Sequence, residues 1–273
     1  MADLSQTHLT GTVTFRKDHA PDLWSIRVRP SAQIAFKPGQ YVSLGVTPEG
    51  ADKPVERAYS VVSAPHEEEL EFFFELVPHG ELTPRLHKLQ PGDTLFMRRK
   101  AKGVFTLDGK SGHPNHFFAT TVTGVAPCVS MVRHLDRETA QGRPFAGQIL
   151  ILQGASRSWE LAYEAELQAF ASKHSAWLRY APTISRPWED KAWTGEVGRV
   201  EDLIRKHFDN AGFDPSTTTG YLCGHPGMIE NGKGILLRRG LDGDHVHSEI
   251  YWIPPKDPPV VPAVDGRAVT LTP

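Results

Sequence analysis

The sequence predicts two domains, an antiparallel six-stranded β-barrel followed by an α/β domain with a doubly wound parallel sheet. In the first hundred residues, short runs alternate apolar and polar side chains with the period of 2 that is typical of half-buried strands. After His116 the pattern changes to buried strands that alternate with helical segments. The length of 273 residues is enough for two hydrophobic cores of ordinary size.

Six short runs, separated by Pro- and Gly-containing turns, predict the strands of the barrel. In the clearest of them, Glu71 and Glu75 share one face, and the other face carries Leu70, Phe72, Phe74 and Leu76. The predicted strands are His8–Phe15, Leu23–Val28, Tyr41–Val46, Ala58–Ser63, Leu70–Leu76 and Thr94–Arg99.

One short helix interrupts these strands. Thr83 is a suitable N-cap, Pro84 fits the first helical position, and Arg85 to Leu89 complete the turn. Because helix amino ends favour anions, we expect a phosphate to bind here.

The second half predicts a parallel sheet covered by helices, with the domain boundary near residues 109–114, where Gly, Ser, His and Pro cluster. This division gives residues 1–110, residues 111–252 and a Pro-rich extension, 253–273. The predicted strands are Phe117–Val122, Ile149–Gln153, Trp177–Ala181, Gly220–Cys223 and His245–Tyr251, and the predicted helices are Pro127–Glu138, Trp159–Lys173, Val200–Phe208 and Pro226–Arg239.

Composition argues against several classes of protein. A net charge of -2 gives no overall attraction to nucleic acid or to an anionic membrane. The amino terminus lacks the pattern of a signal peptide, and no apolar run approaches the roughly 20 residues of a membrane helix. Two cysteines are too few for an iron–sulfur cluster, and His245 and His247 have no third ligand at a metal-site spacing. We expect a cytoplasmic monomer without a metal.

The segment Arg57-Ala58-Tyr59-Ser60 has the chemistry of a flavin site. The guanidinium of Arg57 suits a pyrophosphate, the Tyr59 ring can stack on an isoalloxazine, and the Ser60 hydroxyl can reach a ring nitrogen. An exposed arginine on an ordinary strand is the competing interpretation.

A second nucleotide site is predicted where the first parallel strand meets its helix. Thr123 and Gly124 lie in this loop, and Gly124 allows close backbone approach to a pyrophosphate. Two Ser/Arg pairs follow the next two strands, and their side chains would favour a nucleotide 2'-phosphate. The second strand does not end in the acidic residue that usually binds the ribose in an NAD site. These pairs are Arg157 with Ser158 and Ser185 with Arg186; Arg179 and Arg199 are weaker candidates.

Together these segments, in this order, resemble the ferredoxin-NADP(+) reductase superfamily, and most closely the bacterial ferredoxin/flavodoxin-NADP(+) reductases. The resemblance covers most of residues 10–252, with one departure: Val122 stands where the family usually has glycine. The matching blocks are Pro38-Gly39-Gln40-Tyr41, Arg57 to Ser60, Gly80-Glu81-Leu82-Thr83, Gly92-Asp93, Thr123 to Pro127, Cys223 to Met228 and Glu249 to Trp252.

The resemblance implies FAD in the barrel, NADP(H) on the parallel sheet, and hydride transfer between nicotinamide C4 and flavin N5. It implies catalytic roles for Ser60, Cys223, Glu249 and Tyr251. A cysteine at the end of a buried strand is, however, more often a small core residue. Further cofactor contacts are expected at Ala58, Gly80, Leu82, Thr83, Gly224, Met228 and Trp252.

The resemblance also implies a transient partner, ferredoxin or flavodoxin, and the basic run from Arg98 to Lys102 could receive an acidic one. An alternative is an NAD(P)H-dependent flavin reductase component that supplies an oxygenase or another acceptor. A third is a nucleotide-binding module without catalysis. After Trp252, residues 253–273 contain six prolines, and we expect this segment to extend across the FAD, with a disordered tail as the alternative.

Overall fold

The computed structural model describes residues 6–250. The first half forms one antiparallel sheet of six strands in the order β4-β3-β6-β1-β2-β5. The sheet curls into a nearly closed barrel, because a bridge joins Val61 to Phe72 and the Val62 amide donates to the Glu71 carbonyl at 2.9 Å. The strands are β1 His8–Ala20, β2 Leu23–Pro30, β3 Tyr41–Val46, β4 Val55–Ser60, β5 Leu70–Glu75 and β6 Thr94–Arg98.

Strand β5 departs from the predicted pattern. Phe72 and Phe74 point into the barrel core, as the alternation predicts. On the opposite face, Phe73 and Glu71 are also buried, with 4% and 6% of their surfaces exposed. Phe73 belongs to a core cluster shared with the second half of the chain. The face of β5 that was predicted to be exposed to solvent therefore packs against the second half.

The short helix α1, Thr83–Leu86, corrects the prediction made for Thr83. The N-cap position is Leu82, and no side chain caps the helix. The Thr83 hydroxyl instead accepts a hydrogen bond from the Val77 amide at 2.9 Å and fixes the preceding turn. One turn aligns few peptide dipoles, which weakens the argument for a phosphate at this helix start.

The second half forms a parallel sheet in the order β10-β9-β8-β7-β11-β12. Its strands are β7 Asn115–Thr121, β8 Gln148–Ala155, β9 Leu178–Ile184, β10 Glu196–Val197, β11 Thr218–Gly224 and β12 Val246–Ile250. The helices are α2 Ala126–Ala140, α3 Glu164–Lys173, α4 Val200–Ala211 and α5 Pro226–Arg238.

Helices cover both faces of this sheet, which confirms the doubly wound fold. Residues of α2 and α3 pack in one core cluster, and residues of α4 and α5 pack in another. Helix α3 begins at Glu164 and not at Trp159, because a short 3-10 turn, Ser158–Glu160, comes first. The two-residue strand β10 was not predicted, since its pattern is too short to show a period.

A polar cluster joins the two sheets. The Arg133 guanidinium on α2 bonds to Glu71 of β5 at 3.0 Å and to Glu166 of α3 at 2.6 Å. The Tyr163 hydroxyl donates to Glu71 at 2.8 Å, and the Ser130 hydroxyl donates to the Ser63 carbonyl at 2.6 Å. These bonds fix how the barrel and the parallel sheet face each other.

Candidate active site

Three of the predicted catalytic residues meet where the barrel faces the parallel sheet. Ser60 ends β4, while Cys223 and Glu249 are register partners on the parallel strands β11 and β12. The Ser60 hydroxyl donates to the Glu249 carboxylate at 3.2 Å. Ser60 is 5% exposed and Cys223 is completely buried. The fold thus joins residues that are far apart in the sequence.

The carboxyl group of Glu249 has an altered acidity. Burial raises the pKa of Glu249 to about 7, although the hydrogen bond from Ser60 acts in the opposite direction. A carboxyl group with such a pKa can both give and take a proton near neutral pH. The site therefore contains a proton donor and acceptor held beside a hydroxyl group.

Arg57 and Tyr59 lie two residues apart on β4 and therefore share one of its faces. The side chain of Arg57 is 59% exposed and contacts the Glu81 carboxylate at 3.3 Å. Tyr59 packs edge-on against Phe74, with ring centroids 4.8 Å apart, and burial keeps its pKa far above the usual value. Ala58 is exposed between them. A phosphate and a flat ring system could bind along this strand.

The turn before α1 contributes main-chain groups. The Gly80 amide donates to the Val77 carbonyl at 2.9 Å. Leu82 is 2% exposed and packs in the barrel core, so its side chain is turned away from any cofactor. Thr83 lies beside it at the surface.

Two glycines bring the loops after β7 and β11 into backbone contact. A Cβ on Gly124 would lie 2.2 Å from the Cys223 carbonyl oxygen, and one on Gly224, whose φ is +130°, would lie 2.1 Å from the Thr121 hydroxyl. That hydroxyl accepts a hydrogen bond from the His225 amide at 2.8 Å. Neither glycine can be replaced without moving backbone, so the two loops stay in close contact outside the carboxyl ends of β7 and β11. The strand order reverses between these two strands, and a doubly wound sheet binds its nucleotide in the crevice at such a switch point.

Three further residues near this crevice, Val122, Thr123 and Met228, differ in backbone conformation and in burial. Thr123 lies in a 3-10 turn, Val122–Val125, that leads into α2. Val122 has a φ of +43°, a conformation that favours glycine and is strained for a β-branched residue. The departure from the family pattern therefore falls on a backbone position that suits glycine. Met228 is 2% exposed and packs in the core under α5, so its side chain does not line the crevice.

The two predicted Ser/Arg pairs lie close together at the ends of β8 and β9. Arg157 bonds to Glu160 at 2.7 Å and to Glu189 at 2.6 Å, and Arg186 approaches Glu189 at 3.7 Å. The Ser158 amide donates to Asp190 at 3.0 Å, and the Ser185 amide donates to the Ala155 carbonyl at 3.0 Å.

Sequence reasoning missed the carboxylates of this arginine pair. Glu189 lies three residues after Arg186, a spacing that favours contact across a turn. The absence of an acidic residue at the end of the second strand led us to overlook one after the third.

Several predictions fall elsewhere. Tyr251, Trp252 and residues 253–273 lie outside the described residues. Arg179 bonds to the Ala211 carbonyl at 3.2 Å, and Arg199 lies 3.9 Å from Glu201, so neither joins the arginine pair.

In residues 6–250, no helix is long and apolar enough to cross a membrane. Within the same residues, no group of three or more His, Cys, Asp or Glu side chains could hold a metal ion.

Both halves of the chain match domains of known oxidoreductases. Residues 14–105 match the oxidoreductase FAD-binding domain, and residues 120–233 match the oxidoreductase NAD-binding domain. The ferredoxin--NADP reductase of Pseudomonas aeruginosa is 32% identical over 232 residues, which cover 80% of this chain and 85% of that protein. The flavodoxin/ferredoxin--NADP reductase of Escherichia coli K12 is 29% identical over 89% of this chain and 98% of its own length.

A solved structure supports the same fold. The ferredoxin NADP+ reductase of Neisseria gonorrhoeae, determined with bound FAD and NADP, superposes with a TM-score of 0.76 at 23% identity. The match covers 90% of this chain and 99% of that one. Because a relative that is 32% identical is matched over 85% of its own length, and because the two halves match the FAD-binding and NAD-binding domains of oxidoreductases, the chain belongs to the ferredoxin--NADP reductase family.

Proposed function

We propose that this protein is an FAD-dependent oxidoreductase that transfers hydride between NADP(H) and FAD, and single electrons between FAD and ferredoxin or flavodoxin. The observation that carries the proposal is the hydrogen bond between Ser60 of the barrel and Glu249 of the parallel sheet, beside Cys223. A hydride can pass only between groups held in contact, and this junction is where a group on the barrel meets one on the sheet.

The residues of β4 fit FAD. Arg57 offers a largely exposed guanidinium with one long carboxylate contact, which a pyrophosphate oxygen could replace. Tyr59 offers a ring held in place by Phe74. When bound, FAD supplies the ability to accept two electrons together and release them singly. The chain's own role is to bind, orient and shield it.

The crevice at the switch point between β7 and β11 suits the pyrophosphate of a dinucleotide, because α2 and α5 both begin beside it and helix amino ends favour anions. Arg157 and Arg186 would hold the 2'-phosphate of NADP(H). Ser60 and Glu249 would orient the reacting rings, and Glu249 would hold or release the proton that accompanies electron transfer. Cys223 would limit the space at the nicotinamide edge.

The partner surface is proposed beside β3. Lys102 pairs with Tyr41, and Tyr41 in turn pairs with Ser60, so the basic run ends close to the active site. Arg98 is neutralised by Glu56 at 2.6 Å, whereas the Lys100 and Lys102 side chains are exposed. Val104 is 88% exposed and adds an apolar contact. Such a surface suits an acidic electron carrier. The relatives do not favour a separate flavin reductase role.

Spectroscopy of the purified protein tests this function. We expect a yellow protein with one FAD per chain, whose flavin absorbance bleaches on anaerobic addition of NADPH and recovers when oxidised ferredoxin or flavodoxin is added. A colourless protein that takes up no FAD on reconstitution would contradict the proposal. So would an FAD-loaded protein that neither NADPH nor NADH reduces.

A further inference from the structure

The arginine pair at the ends of β8 and β9 already holds an anion that belongs to the chain. One oxygen of Glu189, Oε2, accepts a hydrogen bond from Arg157 Nε at 2.6 Å and also contacts Nη2 on the same edge of that guanidinium. Its other oxygen lies 3.7 Å from Arg186. One carboxylate therefore lies between two guanidiniums, the arrangement that a phosphate would need.

The surrounding bonds keep Arg157 in place. Its backbone and the Ser156 amide both donate to one oxygen of Glu160, at 3.1 and 2.9 Å, while its side chain bonds to the other oxygen at 2.7 Å. The loop that carries Glu189 is tied to the same segment, because the Arg186 amide donates to the Ser156 carbonyl at 2.9 Å. Arg157 is thus oriented before any nucleotide binds, and Glu189 is placed on it by the neighbouring loop.

Glu189 is nevertheless able to leave. Its side chain is 34% exposed, that of Arg157 is 27% exposed, and that of Arg186 is 49% exposed. Ion pairs with such exposure contribute little to stability, because solvent screens them. A stronger ligand for the two arginines could therefore displace the carboxylate.

Two exposed indoles flank the cluster. Trp188 precedes Glu189 and is 68% exposed, and Trp159 is 47% exposed with the Arg157 guanidinium 5.8 Å from its ring centre. Exposed flat rings beside paired guanidiniums suit a heterocycle linked to an anion. These observations favour the adenosine end of the nucleotide as the ligand of this surface.

We propose that Glu189 is a specificity-determining residue that competes with the 2'-phosphate for Arg157 and Arg186. This inference rests on the proposed function, because it assigns the arginine pair to NADP(H). NADPH must displace Glu189 before its phosphate reaches both guanidiniums, which weakens its binding. NADH carries a hydroxyl group at the same position and can donate it to Glu189 in place, as ribose hydroxyls do to carboxylates in other dinucleotide sites. Glu189 thereby narrows the preference for NADPH over NADH.

The test measures binding of two fragments, 2'-phospho-AMP and AMP, to the FAD-loaded protein by isothermal titration calorimetry. In Glu189→Gln, which keeps the shape but removes the charge, we expect 2'-phospho-AMP to bind about tenfold more tightly, the equivalent of about 1.4 kcal/mol. AMP has a 2'-hydroxyl in place of the 2'-phosphate, and the glutamine oxygen can still accept its hydrogen bond, so AMP should bind to Glu189→Gln within about twofold of wild type. The variant Glu189→Ala removes the same charge and provides a second measurement.

Two further variants make the result specific. Glu138→Gln is the matched control, because Glu138 also pairs with an arginine, Arg143 at 2.7 Å, on a distant part of the surface; it should change neither affinity. In Arg157→Ala/Glu189→Gln the gain should disappear. Unchanged or weaker binding of 2'-phospho-AMP in both Glu189 variants would overturn the inference. Reduction of FAD by NADPH in the same preparations tests the proposed function separately.

Discussion

At the scale of single residues, the proposed active site contains one carboxyl group whose pKa lies near neutrality. Glu249 lies in β12, half-buried where the barrel meets the sheet, and accepts a hydrogen bond from the neutral hydroxyl of Ser60. Burial disfavours the charged form and raises the pKa of Glu249 to about 7, against the opposing effect of that hydrogen bond. Activity and stability should both respond to this group.

For Glu249→Gln, we expect a rate of FAD reduction by NADPH that is roughly 10–100-fold lower and no longer varies with an apparent pKa near 7. Glutamine keeps the size and the contact with Ser60 but cannot exchange the proton. Stopped-flow absorbance between pH 5.5 and about 8.5 measures this. Glu230→Gln, an exposed change on α5, is the control. A pH profile near 7 that persists in Glu249→Gln would contradict the assignment.

The same group makes a prediction about stability. The folded pKa is about 7 and the ordinary value is 4.5, so the folded protein keeps a proton that the unfolded chain releases between these values. The free energy of unfolding should therefore fall as pH rises from 4.5 to 7, by on the order of 2–3 kcal/mol, and Glu249→Gln should remove this fall. Urea unfolding of the FAD-free protein at several pH values checks the sign.

Arg186 is proposed to distinguish NADPH from NADH by binding the 2'-phosphate. We expect Arg186→Ala to weaken NADPH binding by roughly 1.5–3 kcal/mol, the value of a charged hydrogen bond, and NADH binding by much less. Arg186 is preferable to Arg157 for this test because Arg157 also orders its own loop through Glu160. Arg205→Ala, which removes an exposed arginine of α4, is the control. Equal losses with both nucleotides would mean that the phosphate binds elsewhere.

Chemistry and spacing led to the individual residues of the site, but not to the contacts between them. Glu249 was identified through its resemblance to a family motif, while its hydrogen bond to Ser60 crosses 189 residues of sequence. The periodicity of a single strand or helix cannot predict a contact between residues so far apart in the sequence. Arg157 and Arg186 were identified from their charge, their neighbouring serines and their position after two strands. The same reasoning overlooked Glu189, because a carboxylate in a turn has many ordinary roles.

At the scale of elements, strand β5 and helix α2 form the connection on which the site's geometry depends. The side chain of Arg133 is 13% exposed and contacts carboxylates from β5 and α3. Strand periodicity predicted β5 itself, yet it assigned Glu71 to solvent, because alternation in one strand cannot show what covers its second face. Thr83 was misassigned for a similar reason, since its hydroxyl bonds to a neighbouring turn and not to its own helix.

Arg133→Ala should lower the free energy of unfolding by about 3 kcal/mol, the lower end of the cost of breaking a buried ion pair. The buried Glu71 carboxylate would keep the longer contact with Arg27 at 3.5 Å and the hydrogen bond from Tyr163. The matched control is Arg143→Ala, whose arginine is 59% exposed and pairs with Glu138; it should cost less than about 1 kcal/mol. Urea unfolding followed by tryptophan fluorescence gives both values. Similar midpoints for the two variants would mean that the cluster is not a structural connection.

At the scale of the whole molecule, the proposed function requires one site that serves both a nucleotide and a protein partner. The nucleotide is proposed to approach the crevice outside β7 and β11, and the protein partner to approach beside β3. The paired strands β3 and β4 have two distinct ends: Tyr41 is opposite Ser60 at one end, next to the proposed partner surface, and Val46 is opposite Val55 at the other. Charges at these two ends should therefore act differently on electron transfer.

Lys100→Glu/Lys102→Glu should slow reduction of an acidic ferredoxin or flavodoxin about tenfold or more at low salt, because attraction becomes repulsion and steered encounter is lost. The difference from wild type should shrink as salt screens the charges. Reduction of a small uncharged quinone should change little, since it needs no docking surface. Lys53→Glu, in the loop at the far end of the β3–β4 pair, is the control. An equal loss with the quinone would place the two lysines in the flavin site, and no loss with the protein partner would place docking on another surface.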